Sequence, residues 1–432
     1  MAGINLKTNK IAKAWAMYDW ANSVYPLVVT TAIFPIFYEK ISTGPNGEDV
    51  VTFMGLEVVN TALVSYVSAA MFIIVSILSP LLSGVADFGQ RKKFFLKFFF
   101  LLGSISCASL YFFKMERLEL SMLIYLMAGL GFWCSLVFYN GFLPLIAKKE
   151  DQDSLSAKGY ALGYIGSSIL LVLCLALVMG AGMDARLSFV ITAIWWAGFG
   201  FWSVNKLPEK AVMLDKSENM FLRGFKELLG VWKNLKNTPR LKRYLSAFFI
   251  FSMGVQTVMI MAVYFGTKEI EWGDSDKTTG LIISVLVIQL IAAPGSRALS
   301  WLSSKVGNIK ALSAVLLVWC LLCIVALWVT TPIHFYCIAA LVGLVMGGVQ
   351  SLSRSTYSKL LPETEDTASY FSFYDIAEKI GLVIGILSYG LIEQFTGSMR
   401  NSIFALIVFF VGGLIALLTM PKEEQKFLKA KD

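Results

Sequence analysis

Twelve blocks of mainly apolar residues, each about long enough to cross a bilayer, run along the chain and decide its fold class. Clear examples are Ala62 to Leu82, Tyr244 to Phe265 and Ser402 to Met420. A spanning helix needs roughly 20 such residues, because in hydrocarbon every backbone N–H and C=O must find its partner inside the segment. The predicted spans are 14–39, 58–82, 94–113, 120–146, 159–180 and 187–204, then 242–266, 279–302, 309–330, 333–360, 370–394 and 400–420. They use nearly all of the 432 residues and leave no stretch that could fold a large extramembrane catalytic domain. Only 15% of the residues are charged, against about 25% in soluble proteins. An all-α, multi-pass membrane protein is expected.

The distribution of basic residues sets the expected topology. With the N-terminus inside, the inner segments and adjoining span ends hold 29 Lys and Arg, and the outer ones hold 7. Cytoplasmic loops are enriched in these residues, so both termini are expected in the cytoplasm, with the bacterial inner membrane as the location. The formal charge of +8 is then a topology signal, and nucleic acid is not an expected partner. The first span follows a basic N-terminus, yet it is longer than a signal-peptide core and lacks a small-residue cleavage site. It is expected to be retained.

Six spans lie on each side of a polar stretch, giving two pseudo-symmetric six-helix bundles over 1–204 and 242–432 with a linker at 205–241. Within the linker, Phe221, Leu222, Phe225, Leu228, Leu229, Trp232 and Leu235 repeat at helical spacing, with Arg223, Lys226, Lys233 and Lys236 on other faces. Two readings fit: an amphipathic helix lying on the membrane surface, or a solvated connector touching the bundle. Small residues share helix faces at Gly159, Gly163 and Gly166, at Gly343 and Gly347, and at Gly381 and Gly385. Such positions let helices approach closely.

Other chemistries lack their residues. The six cysteines all fall in apolar blocks, and Cys320 and Cys323 have no second pair or nearby His, so they read as packing residues. There is no His-Glu-x-x-His pair and no Gly-x-x-x-x-Gly-Lys-Ser/Thr loop, which disfavours a membrane-embedded metalloenzyme and ATP-driven transport. Neither metal nor cofactor is expected. His334, the single histidine, lies near the outer end of the tenth span and reads as an interface residue.

Ionisable groups inside spans each cost about 2.5–3.5 kcal/mol by insertion scales and normally face a polar cavity or a partner. Asp19, Asn22, Ser23, Pro26 and Thr30 form one stripe on the first span, near Tyr25. The stripe suits a water-filled path; the competing reading is a helix-start carboxylate favoured by the helix dipole. In the eleventh span, Tyr374, Asp375, Glu378 and Lys379 stand together, and Asp375 and Lys379 are spaced to pair. Glu378 is a surplus carboxylate. The cluster fits either a proton-exchanging site or a static charge network. Near the inner end of the tenth span, Gln350 and Arg354 accompany Ser351, Ser353 and Ser355, and Arg354 is placed to bind an anionic group or lock against Asp19 when the inner side closes. Asn140, Gln256 and Gln289 add hydrogen-bonding groups at depth.

The loop Gly84-Val85-Ala86-Asp87-Phe88-Gly89-Gln90-Arg91-Lys92 resembles the signature loop of the major facilitator superfamily. The segments Tyr18-Asp19-Trp20-Ala21-Asn22-Ser23, Phe138-Tyr139-Asn140-Gly141-Phe142-Leu143-Pro144, Gly159-Tyr160-Ala161-Leu162-Gly163-Tyr164, Gly347 to Ser355, and Phe373-Tyr374-Asp375 resemble the branch containing the fungal autophagy-related vacuole effluxer. The resemblance implies gating roles for Gly84, Asp87, Gly89 and Arg91, with the Asp contacting the start of the eleventh helix, and an association with amino-acid efflux. Two departures stand out. Met253 occupies the position before Gly254-Val255-Gln256-Thr257 where members often carry an acid, and Ser303-Ser304-Lys305-Val306-Gly307-Asn308 lacks the Asp of the second signature loop, which predicts lopsided bracing.

The expected function is secondary active transport of a small polar, amino-acid-like solute by alternating access. The chain is expected to act as a monomer, through a midplane site lined by Asn22, Tyr25, Asn140, Gln256, Gln350, Arg354 and Tyr374. Proton coupling is a hypothesis resting on Asp19, Asp375, Glu378 and Lys379. Two alternatives stay open: an exporter or flippase of an amphipathic or lipid-like compound, and a non-transporting membrane sensor.

Overall fold

A computed structural model of the chain describes residues 10–44, 50–209, 220–273 and 276–421. Lys7, Lys210, Lys216 and the lysines after Pro421, all used in the charge count, lie outside the described residues, as do the side chains of Phe221, Leu222, Arg223 and Lys236. The spans are helices at Lys10–Ser42, Asn60–Phe88, Lys92–Phe112, Met115–Ile146, Gln152–Gly180 and Arg186–Asn205 in the first half. In the second half they are Pro239–Glu269, Lys277–Val306, Asn308–Ala326, Pro332–Leu360, Thr367–Thr396 and Met399–Leu418. Among the described residues, 11 helices are apolar enough to cross a membrane by length and composition. The eleventh span is the exception, because Asp375, Glu378, Lys379 and Glu393 fall inside it.

The two halves have separate aromatic cores. Trp15, Tyr18, Phe34, Phe100, Phe138 and Trp196 centre the first. Tyr244, Phe248, Trp319, Tyr357 and Phe410 centre the second. Large apolar side chains such as Ile73, Phe98, Ile194, Trp301 and Val408 point outward, the arrangement a lipid solvent requires. Between the halves, the second span packs on the eleventh and the fifth packs on the eighth and tenth. We call the end of the bundle from which the linker leaves the linker end; with six spans per half, it also carries residues 10 and 421.

Four local features depart from the sequence expectation. The second span runs on to Phe88, so Gly84 to Phe88 form its last turn and only Gly89, Gln90 and Arg91 connect it to the third. The helix stops there because Gln90 takes a left-handed conformation (φ 49°), letting the Arg91 N–H reach Ala86 O at 2.8 Å and the Gln90 N–H reach Asp87 O at 3.1 Å, a Schellman-type cap. The fifth span begins at Gln152, earlier than expected, which brings Asp153 and Ser156 into the helix. After Pro26, which has no N–H to donate, the first span widens to i→i+5 turns over Tyr25–Ile33. Beyond it, β1 (Val50–Phe53) and β2 (Leu56–Val59) form a hairpin whose Met54-Gly55 turn has both φ values positive, as a two-residue hairpin turn requires.

The linker helix, Met220–Asn237, packs on the second span. Val231 and Leu235 are buried, and the Trp232 ring lies 5.5 Å from that of Phe373. Phe225 and Leu229 stay exposed, so the helix touches the bundle with one face and keeps an apolar edge outside it.

Candidate functional site

At the linker end two carboxylates tie the halves together. Asp87, at the end of the second span, accepts the Ser369 N–H at 2.6 Å and the Ala368 N–H at 3.3 Å. These are first-turn amides of the eleventh span, whose positive helix terminus favours an anion. Lys92 pairs with Asp87 at 2.7 Å and donates to the Glu365 carbonyl at 2.5 Å. Gln90 reaches the Glu365 carboxylate at 2.8 Å. Gly84 is buried in the last turn of the second span. Gly89 is its capping residue, and Arg91 is exposed, so Asp87 alone of the four gating candidates bonds across the halves through its side chain.

Asp153, also in the first half, does the same work at a second place. Its Oδ1 accepts from Asn308 Nδ2 at 2.8 Å, and its Oδ2 accepts from Ser303 Oγ at 2.9 Å and Lys359 Nζ at 2.6 Å. Ser303 and Asn308 bound the second-half loop that lacks an Asp. The carboxylate has moved across the interface to the start of the fifth span, so the bracing is two-sided and not lopsided as expected. The sequence reading missed Asp153 because Lys148 to Asp153 reads as a charged loop.

One layer deeper, Arg354 of the tenth span crosses to the first half. Its Nη2 meets Asp19 Oδ2 at 3.0 Å, and the two side chains are 2% and 7% exposed, which leaves little water to screen them. Arg354 Nε donates to Ser156 Oγ at 2.9 Å, Nη2 also to Ser156 O at 3.0 Å, and Nη1 to Asn140 Oδ1 at 3.4 Å. The guanidinium lies 4.2 Å from the Tyr160 ring centroid and 4.7 Å from that of Trp15. Asp19 accepts a second bond from Tyr139 Oη at 2.9 Å. Such planar, multiply donated pairing is a property of Arg that Lys does not share. Gly159 makes it fit, since a Cβ there would stand 2.3 Å from Asp19 Oδ2 and 3.1 Å from Arg354 Nη2. Asp19 is therefore buried in a cross-half lock, not open to a water path.

Beyond this lock lies the acidic cluster. Lys379 Nζ sits 2.8 Å from Asp375 Oδ1 and 3.2 Å from Glu378 Oε2, and 3.9 Å from the Trp133 ring centroid across the halves. Gln256 Nε2 donates to Glu378 Oε1 at 2.6 Å. Asp375 Oδ2 is buried with no hydrogen-bond partner among the described residues. One ammonium serves two carboxylates, and Glu378 keeps 23% side-chain exposure while Lys379 keeps 1%. Tyr164 Oη donates to Gln350 Oε1, and Gln350 Nε2 approaches Met259 Sδ at 3.0 Å.

Three cavity candidates lie elsewhere. Tyr25 is 3% exposed and packs on Phe132 and Trp196, with centroids 5.4 Å away in each case. Tyr374 stacks on Phe248 at 4.0 Å. Both are core aromatics whose flat rings fill space between helices. Asn22 is 1% exposed and accepts a weak bond from Ser23 Oγ at 3.5 Å. Asn140 belongs to the Arg354 lock, while Gln256 and Gln350 remain beside the acidic cluster.

The family profile described as "Vacuole effluxer Atg22 like" matches residues 7–427, nearly the whole chain. The chain belongs to this Atg22-like family. An uncharacterised MFS-type transporter, YxiO of Bacillus subtilis (strain 168), is 32% identical over 423 residues, covering 96% of this chain and 95% of its own. Autophagy-related protein 22 of Yarrowia lipolytica is 21% identical, covering 88% and 80%. In three dimensions the chain is similar to the E. coli fucose:proton symporter FucP, with a TM-score of 0.69 at 14% identity over 96% of this chain and 98% of that one. The Atg22-like chain is thus an MFS-type transporter with the all-α major facilitator fold. The Asp87 contact to the eleventh helix and the buried Arg354–Asp19 pair occupy segments through which it resembles this family.

Proposed function

We propose that the protein is a secondary active transporter that moves a small polar, amino-acid-like solute by alternating access, coupled to protons. In this reading the linker end faces the cytoplasm, and the structure is the conformer closed on that side. The cross-half hydrogen bonds of Asp87, Lys92, Gln90, Asp153 and Arg354 all lie on the linker side of mid-span, in two layers. The solute site is the region just beyond, where Gln256, Gln350, Tyr164 and Glu378 present polar groups.

The observation that carries the proposal is the sharing of Lys379 between Asp375 and Glu378. One positive charge cannot satisfy two carboxylates in a low-dielectric interior, so the trio favours binding one further cation. A proton on the acidic pair, or the ammonium of a zwitterionic solute, meets that demand. Exchange of one for the other as the halves rock couples their movements. A structural relative named as a proton symporter and a family named for vacuolar effluxers support the reading.

The test is uptake of a panel of free amino acids and other small zwitterions into liposomes containing the purified protein. Accumulation should follow an imposed pH gradient, collapse with a protonophore, and be lost in Asp375→Asn. Gradient-independent exchange by the wild type removes the proton from the mechanism, and absence of movement for any zwitterion overturns the solute class.

A further inference from the structure

A groove of about 640 Å³ opens sideways from the first half, away from the site between the halves. It is lined by Met17 of the first span, Leu170 and Leu173 of the fifth, and Ile191, Ile194, Trp195, Gly198, Phe199 and Trp202 of the sixth. Every lining residue is apolar or glycine. From Ile191 to Trp202 the sixth helix rises about 16 Å at 1.5 Å per residue, close to half of the roughly 30 Å hydrocarbon core. The groove therefore has the length of one leaflet, and it ends toward the linker end, where the sixth span finishes and the first begins.

Its mouth is basic. Lys13 stands one helical turn before Met17, and Lys206 stands one turn after Trp202, with its ammonium 3.4 Å from the Trp202 ring centroid. Both lysines are exposed. Lys158 of the fifth span has Lys13 and Arg297 among its charged neighbours. None of Lys13, Lys158, Lys206 or Arg297 enters an ion pair among the described residues. A run of unpaired cations above an apolar trough one leaflet long matches an acyl chain joined to an anionic headgroup.

We propose that this groove is a binding site for one anionic glycerophospholipid of the linker-side leaflet, its acyl chain along the sixth helix and its phosphate between Lys13 and Lys206. The site is independent of the transported solute. It sits beside the seam between the first and fifth spans, where Gly159 packs on Asp19 of the cross-half lock, so an occupied groove steadies that seam.

Native mass spectrometry of the purified full-length protein, titrated with phosphatidylglycerol or phosphatidylcholine of identical acyl chains, tests this. Wild type should retain phosphatidylglycerol about 25-fold more tightly, since each of the two lysines at the headgroup adds roughly a fivefold preference. The double variant Lys13→Gln with Lys206→Gln should lose the preference, whereas Lys206→Arg should keep it. Gly198→Leu should weaken both lipids, because a side chain at Gly198 grows into open space with no protein atom within 4 Å of its Cβ. Glycerol 3-phosphate should displace neither. Equal retention of the two lipids, a preference that survives the double variant, no effect of Gly198→Leu, or displacement by glycerol 3-phosphate would each overturn the site.

Discussion

Arg354 and Asp19 come from opposite halves of the chain and meet at 3.0 Å with almost no exposure to solvent. A buried pair of this kind is costly to break one partner at a time, about 3–5 kcal/mol, because the remaining charge is stranded. Arg354→Ala should therefore weaken linker-end closure by that amount, on the order of 100-fold or more in the conformational equilibrium. Spin labels at the exposed positions Lys148 and Glu363 should move apart in the variant. Arg354→Lys should open partially, since the three donors of an ammonium cannot replace the four spread bonds of the guanidinium to Asp19, Ser156 and Asn140. Unchanged distances in Arg354→Ala would show that the pair does not hold the gate.

Gly159 offers a separate handle on the same lock. A Cβ there would lie 2.3 Å from Asp19 Oδ2, inside any tolerable contact, so Gly159→Ala should push the pair apart and slow transport severely without unfolding the bundle. Gly163→Ala should act similarly, because its Cβ would meet Ser23 Oγ at 2.4 Å. Gly390→Ala, where nothing lies within 4 Å, is the control and should transport normally. Equal rates for all three variants would mean that the first and fifth spans separate before they limit transport.

Much of this arrangement is legible in the residues alone, and the rest fails for identifiable reasons. Hydrophobic blocks place the spans because lipid imposes one length scale. The eleventh is the weakest of the twelve blocks, since Asp375, Glu378, Lys379 and Glu393 lower its hydropathy. Asp19 and Arg354 stand out as charges inside spans, whereas Tyr374 and Tyr25 are marked only by their polar neighbours in sequence. Helical phase alone does not say which side of a span faces a cavity when both sides are apolar. Asp153 and Ser156 were missed because a helix that starts in a charged segment gives no hydrophobic signal for its first turn. Pro26 was the visible cue to the widened turn after Tyr25.

The Asp153 brace makes a charge-relocation prediction. Lys359 Nζ lies 2.6 Å from Asp153 Oδ2 and 3.1 Å from Asn308 Oδ1, so either position can hold the carboxylate it needs. Asp153→Asn should lower the melting temperature and slow transport by leaving Lys359 without an anion. Asn308→Asp should also be harmful, since it sets two carboxylates side by side. The double variant should recover most of both losses, because Lys359 again faces a single carboxylate, now supplied from position 308. Additive damage in the double variant would assign Asp153 a role that depends on its place on the fifth helix.

Lys379 separates folding from coupling. Removing it alone leaves Asp375 and Glu378 adjacent with no cation, so Lys379→Gln should destabilise the protein by about 3–5 kcal/mol and lower its melting temperature. Adding Asp375→Asn to that variant removes the stranded charge and should restore most of the melting temperature. The double variant keeps the cluster's net charge of −1 on Glu378 and its bond from Gln256, yet no ammonium remains to be shared between two carboxylates. Solute binding followed by thermal shift should then persist while accumulation driven by a pH gradient disappears. A double variant that both melts normally and accumulates solute would show that the Asp375–Lys379 pair is a structural tie between turns of the eleventh helix, and would move coupling to Glu378 alone.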